Sequence, residues 1–174
     1  MSGEIRFCRF LPNEAASAGM GAALWDAIAG VGFGSPTGLF VALEGDLGAG
    51  KTTLVRGLLR GAGVTGAVRS PTYTLVESYD TPLGPVHHLD WYRLADAGEV
   101  EAIGFRDLQP GALVLVEWPD RAPSIATGVD LVISLVEEGE GRRIEVQTRS
   151  VAGQAVVGLL QENIQNNSLT SSFP

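Results

Sequence analysis

Cysteine is almost missing from this chain: Cys8 is the single one among 174 residues. No intramolecular disulfide and no thiolate metal cluster can therefore form. Histidine is scarce as well, and its two copies, His87 and His88, are adjacent. Neighbours on a strand point to opposite faces, so they make a poor chelating pair and read better as structural or hydrogen-bonding residues. Positive charge is also in short supply, with 12 Lys and Arg against 20 Asp and Glu and a net charge of -8. A broad nucleic-acid footprint needs clustered positive charge to displace counterions, so any role involving RNA is expected to run through a partner. No apolar run approaches the roughly 20 residues that span a bilayer. The start, "MSGEIRFCRF", lacks the apolar core of a secretory signal. A cytoplasmic protein that does not engage a membrane is the expectation.

What is present suits a globular enzyme-sized domain. Hydrophobic residues make up 45% and charged residues 18%, an ordinary balance for a packed core. Residues 1–160 read as one domain. "EIRFCRF" reads as a strand, and Asn13 as the cap of a helix in which Met20, Leu24 and Ile28 recur every four residues. "LFVALE", Leu39 to Glu44, is a continuous apolar run, the pattern of a parallel strand covered on both faces. "KTTLVRGLL" continues as a helix, "SPTYTLVESY" mixes a turn with a strand, and "GPVHHLD" and "ALVLVEW" are strands ending in Asp90 and Glu117. "DLVISLVE" and "RRIEVQTR" flank "EGEG" as a closing hairpin. These elements predict a three-layer α/β domain of the P-loop NTPase kind, with a mostly parallel central sheet and a C-terminal β-hairpin. The amide-rich stretch 161–174 is expected to be a disordered tail.

The stretch "GDLGAGKTT" carries the strongest signal. Gly45, Asp46, Leu47, Gly48, Ala49, Gly50, Lys51 and Thr52 satisfy G-x-x-x-x-G-K-[ST] at every constrained position, and Thr53 follows. The motif also lies between a buried strand and a helix, the context that it requires. Glycines let successive N–H groups turn inward into an anion nest, and the positive end of the following helix adds to that field. Lys51 can reach the β- and γ-phosphates and the Thr52 hydroxyl can complete the coordination of Mg²⁺. A glycine turn that merely joined strand to helix would need neither residue. The loop reads as a nucleoside triphosphate cradle.

A cradle is not yet an enzyme, because hydrolysis also needs an anchored metal and a group that positions water. Asp90 and Glu117 both close buried strands, and both can emerge at the carboxyl edge of a parallel sheet, where open α/β folds bind ligands. Each alone could be a solvated acid at a strand end. The guanine-reading N-K-x-D is absent and "DWYR" is not D-x-x-G, so ATP is expected rather than GTP.

In combination and in order, "GDLGAGKTTLVRGLL", "SPTYTLVESY", "HLDWYRL" and "LVEWPD" closely resemble the TsaE family, over about Leu11 to Arg149. The resemblance implies a bacterial P-loop ATPase needed for threonylcarbamoyladenosine on tRNAs that read codons starting with A. It also implies work alongside TsaB and TsaD, with ATP hydrolysis supporting turnover by TsaD, and no strong direct grip on tRNA. Carried over by motif, Gly45 to Thr53 would bind the triphosphate, and Thr72 and Tyr73 of "SPTYTL" would be polar contacts near the γ-phosphate. Lys51, Asp90 and Glu117 would be the catalytic set. Asp90 would be the catalytic or metal-orienting acid, and Glu117 would hold Mg²⁺ together with Thr52. Trp118 would pack near the nucleotide, while Glu14 and Arg142 would approach its adenine side.

Two other readings of the same loop stay open. One is a binding module that uses ATP as a conformational switch with little turnover. The other is a small kinase, although Arg56, Arg60, Arg69, Arg93 and Arg106 form no lid-like cluster in the sequence.

Overall fold

A computed structural model describes residues 5–71 and 73–170. In chain order, β1 (Arg6–Leu11) leads into α1 (Glu14–Val31), β2 (Leu39–Glu44) and α2 (Lys51–Gly61). A hairpin of β3 (Val76–Thr81) and β4 (Gly84–Asp90) follows, then the short helices α3 (Ala97–Ala102) and α4 (Phe105–Leu108). The chain closes with β5 (Leu113–Glu117), a second hairpin of β6 (Leu131–Glu138) and β7 (Gly141–Thr148), and helix α5 (Val151–Thr170).

The seven strands form one sheet in the order β1-β7-β6-β2-β5-β4-β3. β6, β2, β5 and β4 are parallel neighbours, while β7 and β3 run against them. β1 opposes β7 and so shares the direction of the central four. The expected α/β class holds: a mixed, mostly parallel sheet with the terminal hairpin on one side. At its centre β2 and β5 are apolar up to their closing glutamates, because both faces are covered. Leu39, Val41, Leu43, Leu113 and Leu115 join one buried cluster with α1, α2 and α5. Their alternates Phe40, Val114 and Val116 join another with Trp91, Val100 and Phe105.

Asn13 caps α1 as its sequence suggests, its side chain accepting from the Ala16 N–H at 2.9 Å. The tail expectation needs correcting, since residues 161–170 continue α5 as helix and only 171–174 lie outside the described residues. Val156, Val157 and Leu160 are buried and Ile164 packs against the same cluster. That four-residue spacing extends an apolar stripe into the amide-rich stretch and carries the helix with it.

Helices α1 and α2 lie side by side almost backbone to backbone. A methyl group built on Gly57 would fall 2.1 Å from the Ala18 carbonyl oxygen, and one on Gly21 would fall 2.1 Å from that of Leu54. Ala18 faces Gly57 and Ala22 faces Gly61, so the two helices run in the same direction. Replacing Gly57 with alanine is expected to destabilise the fold by about 1–3 kcal/mol through overpacking. A urea titration read by circular dichroism measures it, and an unchanged midpoint would show that the helices separate freely.

Candidate nucleotide site

The loop after β2 curls because three of its glycines take backbone angles that other residues avoid: Gly45 at φ 136°, Gly48 at φ 86° and Gly50 at φ 101°. Arg142 packs close over Gly50, where a Cβ would stand 2.9 Å from its Nε. Arg142 reaches across from β7 and donates to the Ala49 carbonyl at 2.7 Å and the Gly48 carbonyl at 3.4 Å. An arginine thus holds two carbonyls of the loop, while the Ala49 N–H donates to the Asp46 carbonyl at 3.1 Å.

Lys51, at the start of α2, is buried with 4% of its surface exposed. Its Nζ donates to the carbonyls of Gly45 at 2.5 Å and Asp46 at 3.0 Å, and sits 4.1 Å from the centre of the Trp118 ring. Burial pushes its ammonium below the usual lysine range, and the nearby carboxylates, Glu117 first, act against that push. The lysine charge is met by backbone oxygens and an aromatic face.

Register brings the carboxylates together. In the parallel pair β4–β5, Asp90 lies opposite Glu117 and His88 opposite Leu115. His88, Asp90 and Glu117 share the strand parity of Leu113 and Leu115, which face α2. Asp90 and Glu117 are 4% and 3% exposed. Glu117 Oε1 accepts from the Thr52 hydroxyl at 2.9 Å and bonds His88 Nε2 at 2.9 Å. Asp90 accepts from the Ser70 hydroxyl at 2.7 Å and from the Tyr92 N–H at 3.0 Å.

Two non-glycine residues bend into the left-handed region beside these acids. Leu75, at φ 63°, donates to the Pro71 carbonyl at 2.8 Å and accepts from the Asp90 N–H at 3.3 Å. It closes the "SPTYTL" turn against Asp90. Trp118, at φ 61°, turns the chain sharply after Glu117, a conformation costing about 1–2 kcal/mol for an L side chain. The turn lays its ring between Lys51 and Tyr92, with ring centres of the two aromatics 5.0 Å apart. Strain of this sort persists where the surroundings over-determine it, as at ligand sites.

These groups line one cleft of about 520 Å³ with Glu14, Leu47, Gly48, Gly50, Lys51, Thr52, Thr53, Ser70, Asp90, Tyr92, Arg93, Glu117, Trp118 and Arg142 on its walls. Tyr73 is not among them. It is 85% exposed, with the Arg93 guanidinium over its ring at 4.7 Å. Thr72 lies outside the described residues. The sequence reading did not single out Ser70, His88, Tyr92 or Arg93 as site residues. Ser70 is within the quoted turn, and His88 is two residues before Asp90, so strand periodicity was the available signal. Nothing local marks Tyr92 and Arg93 as cleft residues.

With this geometry in place, comparison with known proteins decides the family. The model of threonylcarbamoyl adenosine biosynthesis protein TsaE matches residues 11–145. The chain belongs to the TsaE family. A TsaE from Haemophilus influenzae is 41% identical over 120 residues, covering 68% of this chain and 76% of that protein. A TsaE from Bacillus subtilis is 46% identical over 77 residues, covering 44% of this chain and 48% of its own length. The crystal structure of Bacillus subtilis YdiB aligns with a TM-score of 0.66 at 26% identity, over 94% of this chain and 97% of that one. TsaE proteins take part in tRNA threonylcarbamoyladenosine biosynthesis. In this TsaE-family chain the matched span contains the glycine loop, both carboxylates, Trp118 and Arg142. Among the described residues no helix is long and apolar enough to cross a membrane.

Proposed function

We propose that this chain is a cytoplasmic ATPase subunit of tRNA threonylcarbamoyladenosine synthesis that binds and hydrolyses Mg-ATP in support of TsaB and TsaD. The observation that carries the reading is the convergence of a phosphate loop, a buried lysine and two buried carboxylates on one cleft. The acidic net charge of -8 suits a component that leaves the grip on tRNA to its partners.

The donor set fits Mg²⁺. Thr52 Oγ1 and Glu117 Oε1 lie 2.9 Å apart at the same wall of the cleft, and this hard cation is held by few protein oxygens alongside phosphates and waters. Bound there, it neutralises charge on the β- and γ-phosphates. The chain's own residues do the rest. Loop N–H groups and the start of α2 hold the phosphates. Lys51 exchanges the carbonyls of Gly45 and Asp46 for phosphate oxygens, and its charge then offsets what develops on them. Asp90, gripped by Ser70 and the Tyr92 N–H, orients the attacking water and takes its proton. Trp118 and Tyr92 cover that side of the cleft and limit access of bulk water. Glu14, which lines the cleft and lies 3.6 Å from Arg56 of α2, would approach the adenine side.

Phosphate release from ATP, followed with and without TsaB and TsaD, tests the proposal. A low basal rate that rises with the partners is expected. If the partners leave hydrolysis unchanged while ATP still promotes their association, the chain is a nucleotide switch. Glu117→Gln is expected to raise the Mg²⁺ concentration needed for half-maximal hydrolysis by about tenfold or more. A Mg²⁺ titration at saturating ATP reads this directly, and an unchanged requirement would remove Glu117 from the metal site.

A further inference from the structure

His88 is fully buried, at 0% exposure, inside β4 between His87 and Leu89. Its Nε2 lies 2.9 Å from Glu117 Oε1, whereas Nδ1 is buried with no partner among the described residues. A carboxylate only accepts, so Nε2 carries the proton and donates it. A polar ring in a core costs free energy unless its polar atoms are satisfied, and here the bond to Glu117 is the satisfaction on offer. Histidine at this position makes sense as a partner of the carboxylate rather than as filling. We propose that His88 is a positioning residue, fixing Glu117 so that its carboxylate meets the Thr52 hydroxyl at the phosphate loop.

The geometry supports this from two sides. Thr52 approaches Oε1 from α2 and His88 approaches the same atom from β4, so two rigid elements clamp one oxygen. Glu117 is itself one of the residues lining the cleft. Partners behind a metal-holding group commonly set its orientation and contribute 10–100-fold to metal affinity. The inference rests on the Mg-ATP reading above, and its test separates the two.

Calorimetry of a non-hydrolysable ATP analogue, with Mg²⁺ and then with EDTA, measures the gain in affinity that the metal supplies. His88→Gln can place an amide N–H near the position of Nε2, whereas His88→Asn places one near Nδ1 and cannot reach Glu117. The Asn variant is expected to lose about tenfold or more of the metal-dependent gain while keeping its metal-free affinity, and the Gln variant to retain most of the gain. Equal gains in Asn and the unsubstituted protein would overturn the proposal. So would parallel losses with and without metal, which mark a purely structural histidine. If the unsubstituted protein shows no metal-dependent gain, the Mg-ATP reading itself fails and takes the inference with it. Should the variants fold poorly, ¹⁵N spectra of the unsubstituted protein decide instead. An Nε2–H signal that shifts when Mg²⁺ and the analogue are added is expected, and an Nδ1–H tautomer would overturn the assignment.

Discussion

Lys51→Met is expected to abolish measurable ATP hydrolysis and to weaken binding of a triphosphate analogue by about 10–100-fold. The binding estimate follows from a charge-assisted hydrogen bond worth about 1.5–3 kcal/mol. The loss in turnover is larger because the same charge opposes the negative charge that develops on the phosphates in the transition state. Methionine keeps an apolar stem of similar length and removes the ammonium, the group that lies 4.1 Å from the Trp118 ring centre. Alanine should abolish activity too, at the added cost of a cavity beneath Trp118. Phosphate release and calorimetry on the same preparation separate the two effects. Hydrolysis at the unsubstituted rate in Lys51→Met would take the lysine out of the chemistry.

Asp90→Asn is expected to bind Mg-ATP as before and to lose turnover by roughly 10²–10⁴-fold, the range of a lost general base. The substitution is nearly isosteric. Its carbonyl oxygen can still accept from the Tyr92 N–H, and the Ser70 hydroxyl can accept from the new amide instead of donating. What the amide cannot do is take a proton from water. Single-turnover phosphate release measured beside analogue affinity gives the split between binding and chemistry. Normal turnover would strike Asp90 from the catalytic set, while lost binding with lost turnover would reassign it to holding the nucleotide.

How much of this could be read from the chain depends on whether the controlling interaction is local. The glycine loop is legible because its requirements fall on eight consecutive residues with fixed backbone needs, and Gly45, Gly48 and Gly50 take the positive φ angles that those needs imply. Asp90 and Glu117 are legible as strand ends, and the β4–β5 register sets them opposite one another. The bond from His88 to Glu117 is not legible, because it depends on which strands neighbour one another and in what register. Ser70 is chosen over Tyr73 for a similar reason. The left-handed Leu75 folds the turn back on Asp90 and leaves Tyr73 outside the cleft. Helix α5 escapes notice because Gly153 and Gly158 dilute its apolar stripe and amides crowd its end, so packing of Val156, Leu160 and Ile164 rather than local propensity holds it.

The close approach of α1 and α2 sets a dimension of the site from a distance. Glu14 opens α1, Lys51 to Thr53 open α2, and all of them line the cleft. Because the helices run the same way, the gap between their first turns is inherited from the spacing farther along, where a Cβ on Gly21 or Gly57 would fall 2.1 Å from a carbonyl oxygen of the opposing helix. The two glycines act as a gauge block: they lie outside the cleft lining, yet they set how far the first turn of α1 stands from that of α2.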